Sequence, residues 1–215
     1  MKHVSFIVFL FFALVISQPA FAGNDWEWRH TTTIKAPLSE DLSINVNNME
    51  WFKNDASEHY YHHVEVGIDW KVDGIIWGFY LREKESESSS GVWSWEHRPH
   101  LNATFKWNMG DIKLSDRSRL EYRIFAGDNK WRYRNFLKAV LPVKWTEYKI
   151  TPYIGDEVFY DFDVDELNMN RLHLGISAKL TDSIKAGVKY TFESVKSGDN
   201  WTDKNIIWSD ITYSF

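Results

Sequence analysis

From Asp25 to Phe215, apolar and polar residues alternate with period two, in runs punctuated by Gly, Asp, Asn and Pro. No other feature constrains the fold as much. Period two belongs to a strand with one apolar face and leaves no stripe for an amphipathic helix. Eleven runs can be traced, near 25–35, 41–52, 59–72, 75–84, 92–107, 112–125, 130–143, 148–160, 168–180, 184–195 and 205–215. The cleanest are His62-Val64-Val66-Ile68-Trp70, Leu101-Ala103-Phe105-Trp107, Leu172-Leu174-Ile176-Ala178-Leu180 and Ile184-Ala186-Val188-Tyr190-Phe192. Most exceed the ~9–11 residues that a tilted strand needs to cross a bilayer core. Beyond residue 22 there is no stretch of ~20 apolar residues, and mean hydropathy is −0.42. If this chain spans a membrane, it does so as a β-barrel, in which alternate residues alone meet lipid.

The first residues point the same way. Lys2 and His3 precede an apolar run from Val4 to Ile16, and Ala20-Phe21-Ala22 supplies a small-x-small cleavage site. Met1 to Ala22 therefore reads as a secretory signal peptide, with residues 23–215 as one barrel domain. Formal net charge is −5, which argues against a general nucleic-acid binder. With no cysteine, thiolate metal sites, thiol nucleophiles and disulfides are excluded.

Connections also carry information. Those at Asp73-Gly74, Asn108 to Asp111, Val143 to Glu147 and Thr181 to Ser183 are short. Those at Lys53 to Glu58, Glu83 to Gly91, Ala126 to Lys130, Asp161 to Leu167 and Lys196 to Lys204 are longer or more polar. Short inner turns alternating with long outer loops are the usual pattern of outer-membrane barrels. Of the 12 Trp, Trp70, Trp77, Trp107 and Trp145 sit beside short turns, and Trp93, Trp95 and Trp131 beside longer loops. They form two expected aromatic girdles. At the end, Ile207, Ile211, Tyr213 and Phe215 share one face of the last run. This is the closing strand expected to pair with the first strand and to be recognised by the barrel-assembly machinery.

The expected fold is a single all-β, antiparallel, up-and-down transmembrane barrel of about 10–12 strands. Eleven is odd, whereas bacterial single-chain barrels are nearly always even. One assignment is therefore expected to fail, with the first hairpin, Trp26 to Phe52, the weakest. There His30, Thr32 and Trp51 respect the two faces poorly. Strict alternation also puts Asp116 and Ser118 on the lipid face, so a β-bulge near Leu114 is expected to turn them inward. Val66, Leu174 and Val188 should meet lipid, while Gly175 and Ser177 face the lumen and should tolerate Arg better.

Arg98-Pro99, Arg119-Leu120-Glu121-Tyr122-Arg123, Trp131-Arg132-Tyr133-Arg134 and Pro142 form one half of a pattern. Thr151-Pro152-Tyr153, Asp156-Glu157-Val158-Phe159, Asn170-Arg171-Leu172 and Gly175 form the other. Together they resemble the bacterial domain-of-unknown-function family numbered 2490, over nearly all of the chain after the signal segment. The resemblance implies an outer-membrane barrel in a Gram-negative bacterium. It implies no activity and no catalytic residue.

A lipid hydrolase needs Ser and His within hydrogen-bond reach. No G-x-S-x-G element is present, and alternation with the expected register keeps Ser118 away from His97 and His100. His62 and His63 point to opposite faces, whereas His59, His63 and Glu65 could line the inside near the rim. No catalytic residue, metal site or cofactor is assigned. The inward face is basic: Arg82, Arg98, His100, Lys106, Arg117, Arg119, Arg123, Arg132, Arg134, Lys138, Arg171, His173, Lys179, Lys185 and Lys189 outnumber Glu65, Asp69, Glu121, Glu157 and Glu193. That favours a narrow pore for small anionic solutes. The alternative is a structural or interaction barrel with a closed, salt-bridged interior. Folding each hairpin about its turn sets Glu65 opposite Arg82 and Arg98 opposite Glu121. It then brings Arg134 to Glu121 and Glu157, and Arg171 to Glu157 and Glu193. The expectation is an Arg–Glu belt at one level of the lumen.

Overall fold

The computed structural model describes residues 26–88, 91–143 and 150–215. The signal segment and Trp145 lie outside the described residues. Eleven strands form: β1 (Trp26–Pro37), β2 (Leu42–Lys53), β3 (Glu58–Val72), β4 (Ile75–Glu87), β5 (Trp93–Met109), β6 (Ile112–Arg123), β7 (Lys130–Val140), β8 (Thr151–Asp161), β9 (Glu166–Lys179), β10 (Ile184–Ser197) and β11 (Asn200–Ser214). Each pairs with its sequence neighbours, and β1 pairs with β11 to close the barrel.

The first hairpin is part of the wall, so the expectation of an even count was wrong. Direction explains how an odd count closes. In an up-and-down meander, successive strands reverse, so the first and eleventh run the same way. The seam is accordingly parallel, from Trp26↔Asn205 to Lys35↔Ser214, and every other pairing is antiparallel. The barrel is thus not wholly antiparallel.

Turn chemistry fixes several registers. Asp73 and Gly74 both take positive φ, 49° and 81°, as a two-residue hairpin turn with the twist of its strands requires. β5 and β6 are joined by Gly110-Asp111 alone, which sets Met109 opposite Ile112. The expected four-residue turn at Asn108 to Asp111 is therefore tighter than foreseen, and the register moves by two. Loop lengths do not alternate as expected. β10 and β11 are separated only by Gly198 and Asp199, whereas β7 ends at Val140 and β8 begins at Thr151.

The wall is inverted relative to a water-soluble domain. Among its buried side chains are Arg29, Glu65, Arg82, Glu96, Arg98 and Glu121, while Val66, Phe79, Leu81, Phe105, Leu137 and Val188 stand exposed outside. A soluble chain does not expose a continuous apolar surface of this kind. Trp70 and Trp107 near one rim, and Trp93, Trp95 and Trp131 near the other, are exposed on this outer face, joined by Trp26 and Trp201. Trp77 pairs directly with Trp70. On β11, Ile207, Tyr213 and Phe215 are exposed and Ile211 half-buried.

No bulge occurs near Leu114, for the β5–β6 pairing runs without a shift from Met109↔Ile112 to His100↔Glu121. Asp116 and Ser118 consequently stay on the outer face. Asn135 donates to Asp116 at 2.5 Å, and Ser118 shares a 2.8 Å hydrogen bond with Tyr133. A register shift does occur between Trp51 and Phe52, leaving Tyr60 as the extra residue of β3.

Candidate functional site

The interior is crossed by a charged septum. Glu65 and Arg82 are directly opposite, as the Asp73-Gly74 turn dictates, with Nη2 2.5 Å from Oε2. Further round, Glu157↔Arg171 and Arg171↔Glu193 are also directly opposed. Three other expected pairings are displaced by two residues. Glu121 faces His100 and Arg132, not Arg98 and Arg134, and Arg134 faces Phe159, not Glu157. A slip of two keeps every side chain on its own face, whereas a slip of one would have turned them outward. Long guanidinium arms then close the gaps diagonally.

The contacts run without a break. Arg98 lies 3.6 Å from Glu121, Glu121 2.8 Å from Arg134, and Arg134 2.7 Å from Glu157. Glu157 lies 3.6 Å from Arg171, and Arg171 2.5 Å from Glu193. Arg134 bridges two carboxylates with its two terminal nitrogens, which a planar guanidinium does and an ammonium does not.

Several participants were not foreseen. Arg29 on β1 reaches past β11 to Glu193 at 3.0 Å and also holds Glu27 at 2.8 Å. Glu96 gathers Arg98 at 2.6 Å, Arg123 at 2.7 Å and Lys84 at 3.0 Å. Glu121, which is 0% exposed, also takes Arg132 at 2.6 Å and Arg119 at 3.6 Å. Aromatic rings fill the middle. Trp51 is sandwiched between Tyr61, at 3.7 Å between centroids, and the Arg29 guanidinium, 3.7 Å from its centroid. Phe159 receives Arg134 at 4.5 Å and Arg171 at 4.8 Å. Inward Trp51 explains why it broke the outer alternation. Arg29 and Glu96 could have been found by extending the inward parity of Glu27 and Arg98 along their own strands.

The histidines divide differently from expectation. His63 is buried beside Tyr61, its Nδ1 2.8 Å from the hydroxyl. His59 is not its inward partner. Because of the extra residue at Tyr60, His59 joins His62 on the outer side, and both meet Glu50 at 2.7 Å.

On either side of the septum lies a chamber. The one toward the turns is about 550 Å³ and the one toward the loops about 360 Å³. Met49, Arg82, Arg134 and Trp208 line both.

A closed all-β barrel, apolar outside and charged within, is the class these features define. The chain belongs to the family described as "Protein of unknown function (DUF2490)", which matches residues 28–204. Among solved structures, it is similar to the anion-selective porin from Comamonas acidovorans, with TM-score 0.39 and 14% identity over 82% of this chain and 54% of the porin. This chain thus spans about half the length of that porin. Curated proteins gave no match.

Proposed function

We propose that this protein is a bacterial outer-membrane barrel offering small anionic solutes a narrow, basic path, with the Arg–Glu septum as its constriction. One observation carries the reading: the chamber toward the turns is lined by Lys35, Lys106, Arg117, Arg119, Lys138 and Lys189, with fewer carboxylates. A wall of one sign raises the local concentration of the opposite ion. In this reading residues 1–22 are removed on export, β11 is the strand presented to the assembly machinery, and lipid covers the outer wall. No enzymatic role is assigned.

The completeness of the ion pairing favours a second reading, a barrel whose closed interior only stabilises it. Conductance of the purified protein in a planar bilayer separates the two. A reversal potential favouring chloride over potassium supports the pore. A silent membrane holding correctly folded barrel supports the closed interior, and cation selectivity refutes the anion path.

A further inference from the structure

In the chamber toward the turns, most carboxylates are already engaged. Glu65 is held by Arg82, and Glu157 by Arg134 and by Arg117 at 3.1 Å. Asp69 takes Lys35 at 3.4 Å, with hydrogen bonds from Asn45 and Tyr80. The other lysines of the chamber are not so placed. Among the described residues, Lys106, Lys138 and Lys189 form no ion pair. Lys138 Nζ rests 3.8 Å from the Tyr153 ring centroid and Lys189 Nζ 3.9 Å from that of Trp208. A π face holds an ammonium in place without neutralising it. Lys106 and Lys138 are drawn to one row, since both pair with Ser115 of the strand between them. Against these three ammonium groups stands Asp210, which forms no ion pair among the described residues and also lines the chamber.

Glycines let the rings of this wall lie close to the backbone. Inward-facing Gly67, Gly155 and Gly175 lie under the rings of Tyr80, Phe136 and Tyr153, where a Cβ would overlap them. The rings therefore lie flat on the wall, and Tyr153 carries its lysine with it. Gly187 makes the same allowance for Asp210.

We infer that this chamber is a binding site for a doubly charged oxyanion of the phosphate class, held by Lys106, Lys138 and Lys189. Three ammoniums against Asp210 leave two positive charges over, which hydrogen phosphate matches and chloride does not. The one hydroxyl of hydrogen phosphate would donate to Asp210. The inference rests on the anion-path reading only in requiring that solute reach the chamber.

The test is calorimetric titration of the full barrel in detergent micelles at fixed ionic strength. Inorganic phosphate and glycerol phosphate form separate arms, with chloride as the control. Expected is saturable binding near one equivalent, at least tenfold weaker in Lys138→Gln/Lys189→Gln and tighter in Asp210→Asn. Binding in the phosphate arm alone assigns the free ion, and stronger binding in the ester arm assigns a phosphomonoester. If the double variant does not fold, Lys106→Gln and Asp210→Asn still decide. Heat that merely tracks ionic strength, or binding unmoved by these changes, overturns the inference. Phosphate binding by a barrel that does not conduct would remove the pore and leave the site. Anion-selective conduction without saturable binding would remove the site alone.

Discussion

Glu121→Gln is the most informative single change. The carboxylate is fully buried and lies within 3.6 Å of four guanidiniums, those of Arg132, Arg134, Arg98 and Arg119. Glutamine keeps the shape and one acceptor oxygen but removes the charge. Arg134 and Arg98 retain Glu157 and Glu96, and Arg119 retains Asn102 at 2.7 Å. Arg132 loses its ion pair at 2.6 Å, and Arg119 its longer one at 3.6 Å. Breaking a buried pair by removing one member leaves an uncompensated charge and costs about 3–5 kcal/mol. The expectation for Glu121→Gln lies in that range. Arg132→Met added to it should recover part of the loss, because the orphaned charge goes too. Reversible urea unfolding from lipid vesicles, followed by tryptophan fluorescence, measures both. An exposed pair provides the internal control: Lys179–Asp182, at 2.7 Å with Asp182 fully exposed, should leave the unfolding transition close to the parent's on Asp182→Asn, because solvent screens it. If Glu121→Gln costs no more than Asp182→Asn, the septum is not an energetic unit.

Three further outcomes are expected. Val66→Arg and Val188→Arg, on exposed outer positions, should each cost roughly 2–4 kcal/mol if they sit near the bilayer midplane, as read by the same unfolding assay; parent-like stability would put the outer face in water. Gly175→Ala should displace the Tyr153 ring and destabilise by about 1–3 kcal/mol, whereas Ser177→Ala, without that ring, should stay near neutral. Phe215→Asp should lower the amount of folded barrel recovered from membranes, and normal recovery would argue against a role for the closing strand in recognition.

Faces were legible in the sequence, and depth along each strand was not. Parity alone put Arg98, Glu121, Arg134, Glu157, Arg171 and Glu193 inside. Register depended on where each hairpin closes, and Gly110-Asp111 could equally have been the middle of a wider turn. The extra residue at Tyr60 left no mark on the alternation, so His59 was placed inside when it lies outside with Glu50. Gly175 was read as room for a larger residue, because a glycine opposite an aromatic looks the same on paper whether the ring covers it or not. The count of eleven was correct from the runs themselves. The general preference for even barrels argued it away, although a parallel seam needs only that first and last strands agree in direction.

That seam has a topological consequence. β1 begins at Trp26 on the rim of the loops, and β11 ends beside Phe215 on the rim of the turns. An even meander brings both ends of its wall to one side of the sheet it forms. Here they leave from opposite mouths of the cylinder. Whatever precedes Trp26 joins the wall from one mouth, while the chain departs at the other. In the membrane setting proposed above, tags placed next to Trp26 and after Phe215 would be read by probes confined to opposite sides of the bilayer.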